Sequence, residues 1–279
     1  MEAKDAFALC FFVPDLIDDA LLSRLPRLRI LAGFGKGYDN VDVAAATARR
    51  IWVTNVPDAL TDGTADLAWA LLLGLARGVR AGDALVRAGR FSGWSASARL
   101  GTSVSGKILG IVGYGAIGRA IAHRAAGFGM RVLHCDLNTA TRLEEVLGLA
   151  DFIVLALPLT DATRRTIDAR RLRLIKKSAY LVNIARGSVV DEAAVADALA
   201  RDALAGYASD VFEMEDRQYP ERPAGIDARL LASERTLLTP HIGTATHEDR
   251  RRLALVQAQS VLDALDGRRP ATAVNDVPA

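Results

Sequence analysis

Three glycines in "GIVGYGAIG" (Gly113, Gly115 and Gly118) stand in G-x-G-x-x-G spacing. They follow an apolar run, "KILGIVG", and open a helical one, while a second apolar run, "RVLHCD", ends in Asp136. In that context the spacing reads as a dinucleotide cradle. Gly113 allows the tight turn, Gly115 lets the backbone approach a pyrophosphate, and Gly118 lets helix and strand pack closely. The helix N-terminus, at Ala116 and Ile117, offers free N–H groups and a partial positive charge to the phosphates. Asp136 is placed to accept hydrogen bonds from ribose hydroxyls and to repel a 2′-phosphate, and Leu137, Asn138 and Thr139 supply no Arg. The cofactor expected is NAD rather than NADP.

A nicotinamide site needs an anion clamp and a proton acceptor. In "NIARGSVVDE", Arg186 follows an apolar run directly. A guanidinium there could grip a carboxylate or another oxyanion through two parallel bonds. In "TPHIG", His241 sits between Pro240 and Gly243 after another such run, and His is the usual general base near neutral pH. His123, His134 and His247 read as surface or packing residues. "ASDVFEMED" places Asp210, Glu213, Glu215 and Asp216 just past a buried run. One of these carboxylates is expected to orient the His241 ring and favour its charged form. No metal site is assigned.

The elements that would position these groups are legible as periods. From Lys107 onward, apolar runs of strand length ("KILGIVG", "RVLHCD", "DFIVLALPL", "AYLVNIA", "AGYASDVF", "TLLTPHIG") alternate with helical ones. Runs that are apolar throughout indicate strands covered on both faces, as in a parallel α/β sheet. "AFALCFFV", "LRILAGFG" and "IWVTNV" form an earlier strand set, and the chain from His247 reads as one amphipathic helix and a tail. A length of 279 residues suggests two domains. The layout expected is a nucleotide domain over 61–246 and a second domain made of 1–60 plus 247–279.

A net charge of +2 without a basic stripe argues against a nucleic-acid partner. The most apolar stretch, "LAWALLLGLA" from Leu67 to Ala76, is half the roughly 20 residues a bilayer span needs. It reads as a buried helix or a subunit contact, and no membrane partner is expected. "MEAKDAF" carries no targeting pattern, so the expected location is cytoplasmic. Cys10 and Cys135 lie in apolar runs and read as buried free thiols in a reducing compartment.

"GKGYDNVD", "GYGAIG", "DFIVLALPLT", "NIARGSVVDE", "SDVFEMED" and "TPHIG" occur in one order along nearly the whole chain. On these motifs the sequence resembles the D-isomer-specific 2-hydroxyacid dehydrogenase family. The resemblance implies a Rossmann-type doubly wound parallel sheet with a second, smaller, N-terminally shortened, flavodoxin-like α/β domain. It implies Arg186 as substrate clamp, Glu215 as partner of the catalytic His, and His241 as general acid/base. Asp210 would hold the nicotinamide carboxamide, with Thr64, Pro158 and Gly243 also beside the cofactor. Glu213 and Asp216 would then be solvated or local caps. A homodimer through the nucleotide domains and a small anionic substrate are further implications. Within the family, "FVPD", "GKGYDN", "VPDALT", "FSGW" and "DVFEMED" are similar to the phosphite (phosphonate) dehydrogenase branch. That likeness implies Lys36 and the Gly37 backbone as anion ligands, with Val13, Leu60 and Trp94 lining the pocket.

The activity implied is NAD-dependent hydride transfer from phosphite or from a D-2-hydroxy acid. The alternative is an NAD-binding corepressor-like protein or a weakened scaffold of the same family. Three departures from the family pattern stand out. Relatives begin a few tens of residues earlier, with a further strand and helix. The span between Asp136 and Asp151 is too short for the usual extra helix and strand, so one edge strand is expected to be missing and the Asp136 strand to become the edge. Finally, Arg99 or Leu100 stands where the phosphite branch carries a pocket Tyr.

Overall fold

The computed structural model describes residues 3–97, 100–136 and 140–277. The chain forms two compact units. One comprises 1–63, 216–222 and 244–279, the other 64–215 and 223–243. The segment 216–222, which the sequence reading leaves in the nucleotide domain, thus goes with the first unit.

The first unit holds a three-stranded parallel sheet of β1 (Ala8–Phe11), β2 (Ile30–Gly33) and β3 (Trp52–Thr54), in that order. Phe11, Ile17, Leu22, Leu28, Leu31 and Val53 form its main core. The helix His247–Leu265 packs on β2, where the buried Gln257 side chain donates to the Ala32 carbonyl at 2.8 Å. The tail then closes the free edge of β3. Asn275 accepts from Val53 N (2.8 Å) and donates to the Ile51 carbonyl (2.9 Å). These bonds satisfy backbone groups that a bare buried edge would leave unpaired.

The second unit is built on a six-stranded, all-parallel sheet. Its strands are β4 (Ile108–Val112), β5 (Arg131–Cys135), β6 (Phe152–Leu155), β7 (Tyr180–Asn183), β8 (Gly206–Ser209) and β9 (Thr236–Leu238). Their order is β5-β4-β6-β7-β8-β9. The β5 strand, which leads to Asp136, is the sheet edge, as the short Asp136–Asp151 span requires. Crossing from β5–β4 to β4–β6 reverses the direction of winding, and ligands of such sheets bind at the strand C-termini around that point.

"LAWALLLGLA" lies in the helix Thr61–Ala76 and contributes to the core, as a buried helix should: Ala68, Trp69, Leu71, Leu72 and Ala76 are buried. Trp69 donates its indole N–H to the Ile121 carbonyl (3.1 Å) and stacks on Phe128. Two expectations change on packing. Cys10 is exposed, because it lies on an edge strand, whereas Cys135 is buried. Asp216 is buried rather than solvated. Among the described residues, no helix is long and apolar enough to cross a membrane.

Candidate active site

Every strand of the larger sheet delivers a site residue at its C-terminal end. The β4 exit carries the glycine loop. Gly113 has φ +94°, and a Cβ there would lie 2.5 Å from the Ala156 carbonyl oxygen, so only glycine fits between β4 and the β6 exit. Gly118 faces the Gly113 carbonyl just as closely. Gly115 is the opposite case: it is exposed, with nothing within 4 Å of the space a Cβ would fill. It also caps the helix Ala116–Ala125 without any side-chain hydrogen bond, which leaves the first-turn N–H groups of that helix for an anion. Asp136 accepts from the Tyr114 N–H at 3.0 Å, holding its carboxylate at the mouth of the cradle. Pro158, at the exposed β6 exit, accepts from the Thr163 hydroxyl through its carbonyl. These residues fit a dinucleotide: an open glycine concavity, an uncapped helix start and a carboxylate at the next strand end. Leu137, Asn138 and Thr139 lie outside the described residues, as does Arg99.

The β7 exit carries Arg186, half-buried on a loop tied at both ends by the buried Asn183. Asn183 donates to the Arg186 carbonyl (2.9 Å) and accepts from Ala185 N (3.0 Å). The next residue, Gly187, sits directly against the β8 exit, where a Cβ would fall on the Phe212 carbonyl and the Glu213 nitrogen. The arginine loop and the acidic turn are therefore one packed junction. Gly187→Ala is expected to cost about 3 kcal/mol through overpacking of backbone on backbone. Thermal melting reads the loss, and an unchanged Tm would show that the junction yields.

The acidic turn, Glu213–Glu215, presents Glu215 to His241. The Glu215 Oε1 accepts from Phe212 N at 2.7 Å, and its Oε2 lies 2.6 Å from His241 Nδ1. With the Nδ1 proton directed to the carboxylate, Nε2 is the nitrogen left for proton transfer. His241 itself has φ +55°, a left-handed conformation uncommon outside glycine. Asp210 holds it there. The Asp210 carbonyl accepts from His241 N (2.8 Å), its Oδ1 from Ile242 N (2.8 Å) and its Oδ2 from Gly243 N (2.8 Å). The Thr239 hydroxyl adds a fourth bond at 2.6 Å. Burial pushes the Asp210 carboxyl above the usual range, and these donors oppose that shift. Thr64 Oγ1 donates to the Gly243 carbonyl (3.3 Å), bringing the helix Thr61–Ala76 to the same loop.

The structure brings Glu215, His241 and Asp210 together and sets Arg186 on the neighbouring strand exit; sequence reasoning did not single out Asn183, Gly187 and Thr239, whose contacts depend on the folded loops. The Asn in "NIARG" and the Gly after Arg186 were visible signals of a tied, close-packed loop.

In the first unit, the loops after β1, β2 and β3 carry Val13, Lys36 with Gly37, and Leu60 at the C-terminal edge of that sheet. Asn55 donates to the Lys36 carbonyl (2.8 Å), linking two of these loops, and Leu60 is buried. Trp94 is 88% exposed.

A family model described as D-isomer specific 2-hydroxyacid dehydrogenase, NAD binding domain, matches residues 69–243. A glyoxylate reductase of Pyrococcus furiosus is 44% identical, over 98% of this chain and 84% of its own. Among solved structures, the TT0316 protein of Thermus thermophilus superposes with a TM-score of 0.89 at 39% identity, covering 98% of this chain and 87% of that one. D-lactate dehydrogenase from Aquifex aeolicus, complexed with NAD and lactic acid, gives 0.86 at 28% identity, covering 95% and 84%. The cradle on β4, the arginine and acid–histidine loops on β7 to β9, and these matches together place the protein in the D-isomer-specific 2-hydroxyacid dehydrogenase family, as an oxidoreductase that moves hydride between a nicotinamide dinucleotide and a 2-hydroxy acid.

Proposed function

We propose that the protein works as a glyoxylate reductase, converting a short 2-oxo acid to its 2-hydroxy acid with NADH. The observation that carries this reading is the 2.6 Å His241–Glu215 pair on the same sheet edge as Arg186. The identity to the Pyrococcus furiosus enzyme supports the choice of substrate. Arg186 binds the substrate carboxylate. A dihydronicotinamide held by the glycine cradle would supply the hydride for the carbonyl carbon. Protonated His241 gives the Nε2 proton to the carbonyl oxygen, and Glu215 stabilises the imidazolium beforehand. In the reverse direction neutral His241 takes the hydroxyl proton. Asp136 favours NADH over NADPH, since its carboxylate would face a 2′-phosphate. The resemblance to the phosphite branch also implies Lys36 and the Gly37 backbone as anion ligands.

The test follows loss of NADH absorbance with glyoxylate, hydroxypyruvate and pyruvate, against NADPH, and gain of NADH with NAD plus phosphite. Turnover of glyoxylate with NADH supports the reading; turnover of phosphite alone overturns it in favour of the phosphite branch. We also propose a homodimer through the nucleotide unit. Val79, Val86, Phe91, Trp94 and Leu100 are exposed apolar side chains on or just after the helix Val79–Arg87. Such a patch is unusual on a monomer. Light scattering is expected to give twice the 29.8 kDa chain mass, and a monomer at micromolar concentration would sink the assignment.

A further inference from the structure

Glu192 is a buried acid that the reaction above does not use. It opens the helix Glu192–Ala200 with only 2% of its surface exposed. Its Oε1 accepts from the Glu213 backbone N–H at 2.8 Å, the first residue of the turn that presents Glu215. The Asp227 backbone N–H, at the start of the helix Ala228–Ala232, lies close as a second donor. The turn it grips is the one packed on Gly187, beside Arg186. One carboxyl thus joins the helix that follows the β7 exit to the turn at the β8 exit, next to the segment that leads into β9. We propose that Glu192, which touches neither substrate nor cofactor, is a positioning residue that sets the Glu213–Glu215 turn and, through it, the His241–Glu215 pair.

The charge state of Glu192 follows from its surroundings. Burial pushes the carboxyl up to about 7, the Glu213 and Asp227 N–H groups pull it down, and the charges of Glu213 and Asp227 push it up again. Tyr207 on β8 faces the same region, and burial together with Glu192 raises its phenol. Arg229, on the helix after Asp227, is engaged by Asp227 and Asp197. Glu192 Oε2 and the Tyr207 hydroxyl are both buried without a hydrogen-bond partner among the described residues. With Oε1 accepting from Glu213 N and Oε2 enclosed, the buried carboxyl favours its protonated form below about 7. Because the folded value is raised, the stability Glu192 contributes is full below the ordinary carboxylate range and is lost as pH rises toward about 7.

This inference rests on the His241 chemistry proposed above but not on the choice of 2-oxo acid. The test therefore uses whichever short 2-oxo acid the wild type reduces, plus one substrate-free arm. Glu192→Ala removes the acceptor for Glu213 N. It is expected to lower kcat at least tenfold while leaving the KM for NADH within twofold. Glu192→Gln keeps an Oε1 acceptor and is neutral at every pH, so at pH 6 its kcat is expected within twofold of wild type. In the substrate-free arm, ¹³C-carboxyl NMR of the wild type, assigned by the loss of one signal in Glu192→Gln, is expected to show a midpoint near 7. Wild-type kcat in Glu192→Ala, or a Glu192→Gln variant no more active than Glu192→Ala, would each overturn the proposal, and a carboxyl midpoint in the ordinary carboxylate range would overturn the raised state of the carboxyl. If the wild type reduces no 2-oxo acid, the substrate reading fails while the NMR arm still decides the state of Glu192.

Discussion

His241→Asn is expected to lower the rate of 2-oxo acid reduction by about 10³-fold, the usual scale for removing a positioned general acid. Asn is the replacement of choice because His241 sits at φ +55°. Asn tolerates the left-handed region better than most residues, so the loss should report chemistry rather than a rebuilt loop. The backbone bonds from residues 241–243 to Asp210 do not involve the imidazole and should persist. NADH affinity, measured by fluorescence titration, is therefore expected to be unchanged. Glu215→Gln should give a smaller loss. Gln still accepts from Phe212 N, as Glu215 Oε1 does, but it cannot stabilise the imidazolium. A His241→Asn variant retaining more than a tenth of wild-type turnover would remove His241 from the proton-transfer role.

How much of this could be read beforehand divides along a physical line. The strands were legible because each is short, apolar throughout and bounded by turn residues, features local to the strand. The cradle was legible because its pattern is also local: Gly113, Gly115 and Gly118 all fall within one strand–turn–helix unit. The sheet order was accessible too, since the short span after Asp136 leaves no room for a strand outside β5. What stayed hidden depends on partners far apart in sequence. Glu192 looked like an ordinary first-turn acid until the fold brought Glu213 N onto it. Gly187 is essential only because the β8 exit passes directly over it. "LAWALLLGLA" is equally apolar as core or as interface. Its share in the core comes from Trp69 meeting Ile121 and Phe128, a contact no periodicity reveals.

Arg186→Ala should fall on substrate and spare cofactor. A guanidinium–carboxylate fork makes two charge-assisted bonds, each worth about 1.5–3 kcal/mol. Losing both should cost about 3–5 kcal/mol in kcat/KM, roughly a 10³-fold drop. The loop itself should survive the change. Asn183 holds it through the Ala185 N–H and the Arg186 carbonyl, and Gly187 locks it against Phe212, all through the backbone. Arg186→Lys separates charge from shape: it restores a cation without the planar fork, so it should recover only part of the loss. Added guanidinium ion should partly rescue Arg186→Ala but not His241→Asn, because only the first leaves an anion without its cationic partner. An equal rise in the KM for NADH and for the 2-oxo acid in Arg186→Ala would mean that Arg186 supports the nucleotide unit as a whole. A rise confined to substrate, with rescue by guanidinium, would mean that the residue acts where the β7 exit puts it, on the carboxylate of the acid being reduced.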